Sequence, residues 1–219
     1  MTEPVKTART RLTRDRVLQQ AVSIADADGL AALTIRALAG RLDVKPMAIY
    51  HHVANKEEIL DGIVDIVFSE IELPEPDDDW LTGMRRRARS ARTTMGRHTW
   101  AIALMETRTS PGPATLRHHN AVIGALRQAG FSIAMVAHAF ALIDAFVYGF
   151  SLQEATLPMS GPDDVAEIAG PMLERMSPVD YPYLTEFATE HVMKPGYDFG
   201  EEFDFGLELI LTGLAAANA

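Results

Sequence analysis

The sequence predicts an all-α protein, and three observations carry that prediction. No run of residues alternates apolar and polar cleanly enough to read as a half-buried strand. Apolar residues instead recur every three or four positions through segment after segment, the spacing that lays one stripe along a helix. Glycine and proline fall between those segments, at Gly29, Pro46, Pro74, Pro111 and Gly130, where helices start or stop. With 47% hydrophobic residues in a chain of 219, there is enough apolar surface for one large or two small cores.

Thr13 to Asp28 reads as the first helix, with Val17, Leu18, Ala21, Val22 and Ala25 on one side and Gly29 as its stop. Thr34 caps a second, short helix that buries Ile35, Leu38, Ala39 and Leu42 and exposes Arg36, Gly40 and Arg41. Asp43-Val44 then breaks the period. Pro46 suits the first turn of a new helix, one turn long, whose inward face is Ile49 with Val53. Its other face carries Lys45, Met47, Ala48, Tyr50, His51 and His52. A helix with so little to bury and so many polar and aromatic groups outside is what a helix-turn-helix inserts into the major groove. The plain alternative is a helical hairpin with solvated surface charges. Asn55 then caps a fourth helix, and Glu58 completes a capping box. That helix carries Ile59, Leu60, Ile63, Val64 and Val67 inward and stops before Pro74.

The acidic, proline-rich segment 73–79 reads as the connection to everything after it. Trp80 opens a helix to about His98 that holds Arg85, Arg86, Arg87, Arg89, Arg92 and Arg97. A second nucleic-acid site is one reading of that run. Ala88, Ala91 and Met95 keep an apolar stripe, however, and acids are plentiful, so internal ion pairing with a solvated face is the favoured reading. Trp100 to Met105 supplies a further turn or two, and Ala114 to Gln128 is amphipathic and closes at Gly130. Within it His118 and His119 point in different directions and lack a ligand partner at i+3 or i+4, so no metal site is expected. Phe131 to Leu152 is nearly all apolar, long enough to raise the question of a membrane span. Asp144 near its centre and the lack of flanking positive clusters argue against one. Val165 to Met176 reads as a helix broken at Gly170-Pro171, followed by a short helix over about Leu184 to Val192. The last helix, about Glu201 to Ala217, has Phe203, Leu207, Ile210, Leu211 and Leu214 on one stripe and Phe205 and Leu209 beside it. Two such broadly apolar helices from each of two subunits make a four-helix bundle, so a homodimer is expected.

Charge is divided unevenly. The whole chain is at −10, but residues 1–56 hold nine Lys/Arg against five Asp/Glu, net +4, and residues 57–219 hold eleven against twenty-five, net −14. The positive field is local to the helix-turn-helix, where phosphates would lie. Lys6, Arg9, Arg11, Arg14 and Arg16 make the N-terminus basic without a following apolar stretch, so it is not a secretory signal; it is either an arm reaching DNA or a plain tail. The chain has no cysteine, which fits a reducing cytoplasm. No glycine-rich phosphate loop, nucleophile elbow or zinc-ligand spacing is present, so neither enzyme chemistry nor a cofactor is expected.

Residues 13–63 resemble the DNA-binding domain of the TetR (tetracycline repressor) family of bacterial regulators. The resemblance rests on Leu33-Thr34, Arg36, Leu38-Ala39, Leu42-Asp43-Val44, Ile49-Tyr50-His51-His52-Val53 and Asn55-Lys56, in order and without gaps. It departs at Asp43, where the family usually has glycine, and at Met47-Ala48, which are individual to this chain. The resemblance implies that Thr34, Arg36, Lys45, Pro46, Met47, Ala48, Tyr50, His51, His52 and Lys56 face DNA. It implies a helix-turn-helix domain over 1–72, ordered from about 13 and including the fourth helix, and a helical ligand-binding and dimerisation domain over 73–219.

A weaker resemblance to the tetracycline-repressor type of C-terminal domain rests on Trp80, the arginine-rich helix, Thr107-Arg108, Gly130-Phe131-Ser132, Gly149 and Leu152. It implies a ligand among these helices that alters the spacing of the DNA-binding heads. By position, Trp100, Leu104, Thr107, Arg108, Val122, Leu126, Phe140, Asp144 and Tyr148 are the candidates to line that site, although most serve equally well as core. Alignment on Thr107-Arg108 and Gly149 puts Leu104 and Gln153 where the repressor holds its magnesium–drug chelate, so tetracycline itself is not expected. Asp144, an acid among apolar neighbours, needs a partner: Arg108, a histidine such as His118, or a cationic group of the ligand. The expectation is therefore a cytoplasmic, homodimeric transcriptional repressor, released from a near-palindromic double-stranded operator by a small-molecule effector. An activator or a regulator answering to a partner protein remains open, as does an enzyme or binding protein with a vestigial helix-turn-helix.

Overall fold

Thr13 is extended, and its hydroxyl accepts the Arg16 N–H, so the first helix α1 (Arg14–Asp28) starts where that cap sits. Gly29, at φ 78°, ends it. The computed structural model describes residues 11–75, 77–158 and 162–218, so Lys6 and Arg9 of the basic N-terminus lie outside the described residues. The helices that follow are α2 (Ile35–Leu42), α3 (Pro46–Ile49), α4 (Lys56–Glu70), α5 (Trp80–Arg97), α6 (Ile102–Met105), α7 (Pro113–Gln128), α8 (Ile133–Thr156), α9 (Pro162–Glu174), α10 (Pro182–Phe187) and α11 (Glu202–Ala217). No strand occurs among the described residues. The all-α reading holds.

Contacts gather the chain into two compact units. The first comprises the described part of Met1–Pro74 together with Arg89–Val122, so it includes the end of α5 and most of α7 as well as α1 to α4. Its core joins Val17, Leu18 and Ala21 of α1 to Leu38 and Leu42 of α2, Ile49 of α3 and Ile59 and Ile63 of α4. The four-residue helix α3 has only Ile49 and, just beyond it, Val53 to bury, so its place depends on those two anchors.

The second unit comprises Glu75–Ala88 and Ile123–Ala219. There α8 packs against α11 through a cluster of rings in which Phe146 stacks on Phe203 at 5.3 Å and Phe150 on Phe199 at 4.7 Å. Trp80 meets Phe131 edge-on at 4.8 Å. The arginine run is internally paired where the structure shows it: Arg85 Nη2 donates to Glu208 at 2.8 Å, and Arg86 binds Asp78. Such pairing takes up the charge that a second nucleic-acid site would need.

Two expectations are corrected. Helix α9 runs unbroken through Gly170-Pro171, because a proline removes a single ladder hydrogen bond and this one lies three residues from the helix end. The short helix expected over 184–192 begins earlier, at Pro182, whose set φ suits a first turn, and its second half, Ala188–Val192, widens to a π-turn.

Candidate nucleic-acid interface

Local chemistry builds the helix-turn-helix. The Thr34 hydroxyl accepts the Ala37 N–H at 3.1 Å and starts α2. Asp43 ends it in the left-handed conformation, φ 52° and ψ 49°, and is the one non-glycine residue with positive φ among those described. This conformation brings the Val44 N–H back to the Ala39 carbonyl at 3.0 Å, which closes the turn. Lys45 is extended and Pro46 occupies the first position of α3. Asn55 Oδ1 accepts the Glu58 N–H at 2.8 Å, and the Glu58 carboxylate returns to the Ala54 N–H at 2.7 Å. The capping box thus closes one residue earlier than its usual form. The Ala54 N–H, and after it Arg14, hold the Glu58 carboxyl below the ordinary glutamate range.

With Ile49 and Val53 buried, the opposite side of α3 faces water. Lys45, Pro46, Met47, Tyr50 and His51 are exposed, Met47 at 69%, and Ala48 and His52 are half-buried. Thr34, Arg36 and Lys56 are exposed beside them. Among the described residues no carboxylate pairs with Arg36, Lys45 or Lys56. Arg41, not among the expected contacts, is also exposed and stands 3.7 Å from Asp28, too open a pair to hold it. Its signal in the sequence was its place beside Arg36 on the outer side of α2. Unneutralised cations around an exposed aromatic and imidazole surface are suited to phosphate and base edges.

The expected effector residues divide between the two units. In the first, Trp100 and Leu104 pack on the helix-turn-helix core, and the Trp100 indole N–H donates to Asp26 at 2.7 Å. Thr107 is exposed and its hydroxyl returns to the Leu104 carbonyl. Arg108 donates to Asp61 at 2.6 Å and to Glu57 at 2.7 Å, both on α4. Glu57 first, and then Asp61, raise the pKa of that guanidinium. Asp65, one turn further along α4, accepts the Thr115 N–H at 2.8 Å and the Thr115 hydroxyl at 2.9 Å, so the start of α7 is held to the same helix. Val122 is buried. In the second unit Leu126, Asp144 and Tyr148 are buried and Phe140 is half-buried.

The partner of Asp144 is Arg87, at 2.5 Å, with side-chain exposures of 9% and 0%. Of the candidates expected from the sequence, Arg108 is engaged by α4, and the His118 ring lies against Phe68 at 5.1 Å. Arg87 was missed because it stood in a run read as solvated.

Residues 17–63 match the family described as "Bacterial regulatory proteins, tetR family", and residues 73–217 match "Tetracyclin repressor-like, C-terminal domain". An HTH-type transcriptional regulator of Saccharopolyspora erythraea is 33% identical, over 97% of this chain and 89% of its own length. The HTH-type transcriptional repressor DrrR1 of Streptomyces coeruleorubidus is 31% identical over 96% of this chain and 80% of its own. Among solved structures, the TetR family protein ActR of Streptomyces coelicolor in complex with actinorhodin superposes with a TM-score of 0.78 at 30% identity, covering 96% of this chain and all of that one.

Proposed function

Because this chain belongs to the tetR family of bacterial regulatory proteins, we propose that it acts in the cytoplasm as a homodimeric transcriptional repressor released from its operator by a small-molecule effector. The observation that carries the DNA side is the exposed face of α3, flanked by Arg36, Lys45 and Lys56, none of which has a carboxylate partner among the described residues. In this reading Thr34, Arg36, Lys45, Pro46, Met47, Ala48, Tyr50, His51, His52 and Lys56 meet the operator. Arg36 reads a base edge and Lys56, at the start of α4, meets phosphate.

Dimerisation is supported by the outer sides of α8 and α11. Ala141, Leu142, Ala145 and Gly149 are exposed along one, and Phe205 and Leu209, at 67% and 61%, along the other. Small and apolar side chains in water on two neighbouring helices suit helix packing across a two-fold axis. A two-fold arrangement sets the recognition helices roughly 34 to 36 Å apart and calls for a near-palindromic operator. The effector is proposed to bind among the helices of the second unit, where Leu126, Phe140, Asp144 and Tyr148 lie. Trp100 and Leu104 pack on the helix-turn-helix core and Arg108 binds α4, and their part is to register the change.

Gel retardation with the DNA flanking the protein's own gene tests the proposal. Retardation of one duplex with a dyad-symmetric footprint, relieved by a compound that raises the melting temperature of the protein, is the expected result. Coupling of about 1 to 3 kcal/mol corresponds to roughly 5- to 150-fold weaker operator binding, with the same factor lost from effector affinity when operator is present. Absence of any retarded duplex, or a footprint without a dyad, would overturn it.

A further inference from the structure

The first turn of α3 carries no hydrogen-bonding side chain. Pro46, Met47 and Ala48 follow one another, with Lys45 before them and Tyr50, His51 and His52 beyond Ile49. Met47 lies two residues before the buried anchor Ile49, which at about 100° per residue sets it about 200° away, on the side of the helix opposite the core. It is 69% exposed, the most open of the large apolar side chains in the first unit among the described residues. A single apolar side chain in water is ordinary. This one stands on a face flanked by Arg36, Lys45 and Lys56, none of which has a carboxylate partner among the described residues. Such a field suits a polyanion, and Met47 then meets whatever lies between the phosphates.

We propose that Met47 reads the C5 methyl group of a thymine in the major groove, so that each operator half-site carries a T·A pair beneath the first turn of α3. The inference rests on the DNA-binding reading above and deepens it. In the major groove guanine presents N7 and O6, adenine N7 and its N6 amino group, and cytosine its N4 amino group; thymine alone adds a methyl. Pressed against any of the first three, the Met47 side chain strips water from a donor or acceptor and returns nothing, because a thioether is only a weak acceptor. Against thymine it covers one apolar group with another, and its unbranched chain adapts to the methyl. Ala48, half-buried beside it, and Pro46, whose ring nitrogen carries no hydrogen, add no donor that would favour another base. Hydrogen-bonded readout is left to Arg36 and to the residues beyond Ile49.

Selection from a pool of random-sequence duplexes by the full-length protein supplies the operator. Fluorescence anisotropy then measures affinity with deoxyuridine in place of one symmetric pair of thymines at a time, a change that removes only the two methyl groups. At one pair of positions wild type should bind about 15-fold more weakly, the worth of one buried methyl in each half-site at about fourfold apiece. Met47→Ala should bind the thymine and deoxyuridine duplexes alike to within about twofold at that pair. With the side chain exposed, the substitution leaves the core untouched. Cytosine at the same positions should weaken binding, and 5-methylcytosine, which returns the methyl to the same place in the groove, should bind about 15-fold tighter than cytosine. The outcomes separate the two readings. If no sequence is enriched, the DNA-binding reading falls and this inference with it. If an operator is enriched but is indifferent to deoxyuridine at every thymine, or keeps its sensitivity in Met47→Ala, or binds no tighter with 5-methylcytosine than with cytosine, the methyl readout falls and the DNA-binding reading stands.

Discussion

Replacing Arg87 by Met, Asp144 by Leu, and both together asks what the buried pair does for the fold. Each single substitution removes one member of an ion pair whose remaining side chain is 0% or 9% exposed. A stranded buried charge destabilises by about 3 to 5 kcal/mol, whereas exchange of a whole buried pair for apolar side chains of similar volume is often neutral or stabilising by about 1 to 4 kcal/mol. For a chain of this size each kcal/mol moves the melting temperature by about 2 to 4 °C, so either single variant should melt roughly 6 to 20 °C below wild type. The double variant should melt at or above wild type. Differential scanning calorimetry at one fixed protomer concentration makes the comparison, since association would otherwise shift every value. Single variants within 1 °C of wild type would refute the burial argument. A double variant destabilised by the sum of the singles would refute the claim that the pair adds little to stability.

Three further outcomes follow. Arg36→Ala should weaken the best operator by about 1 to 3 kcal/mol and blur one position, whereas Lys56→Ala should weaken all sequences alike and lower the salt slope by about 1; anisotropy titrations across salt concentrations distinguish them. The Glu58 carboxyl lies below its ordinary range in the folded protein, so its contribution to stability is present above the unfolded glutamate pKa and is lost as pH falls through the folded one. Glu58→Gln should therefore flatten the acid limb of a melting-temperature profile below about pH 4.5 and change the neutral region by the weakened bond to Ala54 and the lost ion pair with Arg14. A methyl group at Gly206 would stand 2.7 Å from the Phe146 ring, whereas one at Gly96 meets nothing within 4 Å. Gly206→Ala should lower the melting temperature through overpacking of about 1 to 3 kcal/mol less the helix gain, and Gly96→Ala should raise it by the helix gain alone, up to about 1 kcal/mol.

The features legible in the sequence are those decided by neighbours along the chain. Thr34 and Asn55 act as caps, Asp43 takes the left-handed position, Pro46 opens α3, and Ile49 is the inward anchor, because each depends on residues a few positions away. The fold class was legible for the same reason, since helix stripes are local. The effector residues were less so. Trp100, Leu104 and Arg108 were grouped with Asp144 by their order along the chain, but Arg108 finds Glu57 and Asp61, and Trp100 finds Asp26. Several acids stand within reach of either reading, and no spacing rule chooses among partners some fifty or seventy residues distant.

Arg87 is a different case, because the sequence did contain its signal. Successive residues on a helix step by about 100°, so Arg85, Arg86 and Arg87 span about 200° and cannot all share one solvated face. The apolar stripe of α5 is Met84, Ala88, Ala91 and Met95, each fully buried, and Arg87 lies three residues after Met84 and four before Ala91. It therefore belongs to the stripe and not to the charged face. A cation on a buried stripe needs an acid, and Asp144 is the acid near the centre of the long apolar helix α8. Reading the two misfits together, an arginine on an inward stripe and an aspartate in an apolar helix, yields the pair that the structure shows at 2.5 Å. The remaining arginines follow the same geometry. Arg85 lies about 90° around the helix from the stripe and Arg86 nearly opposite it, and both are about one-third exposed and paired with acids, Glu208 and Asp78.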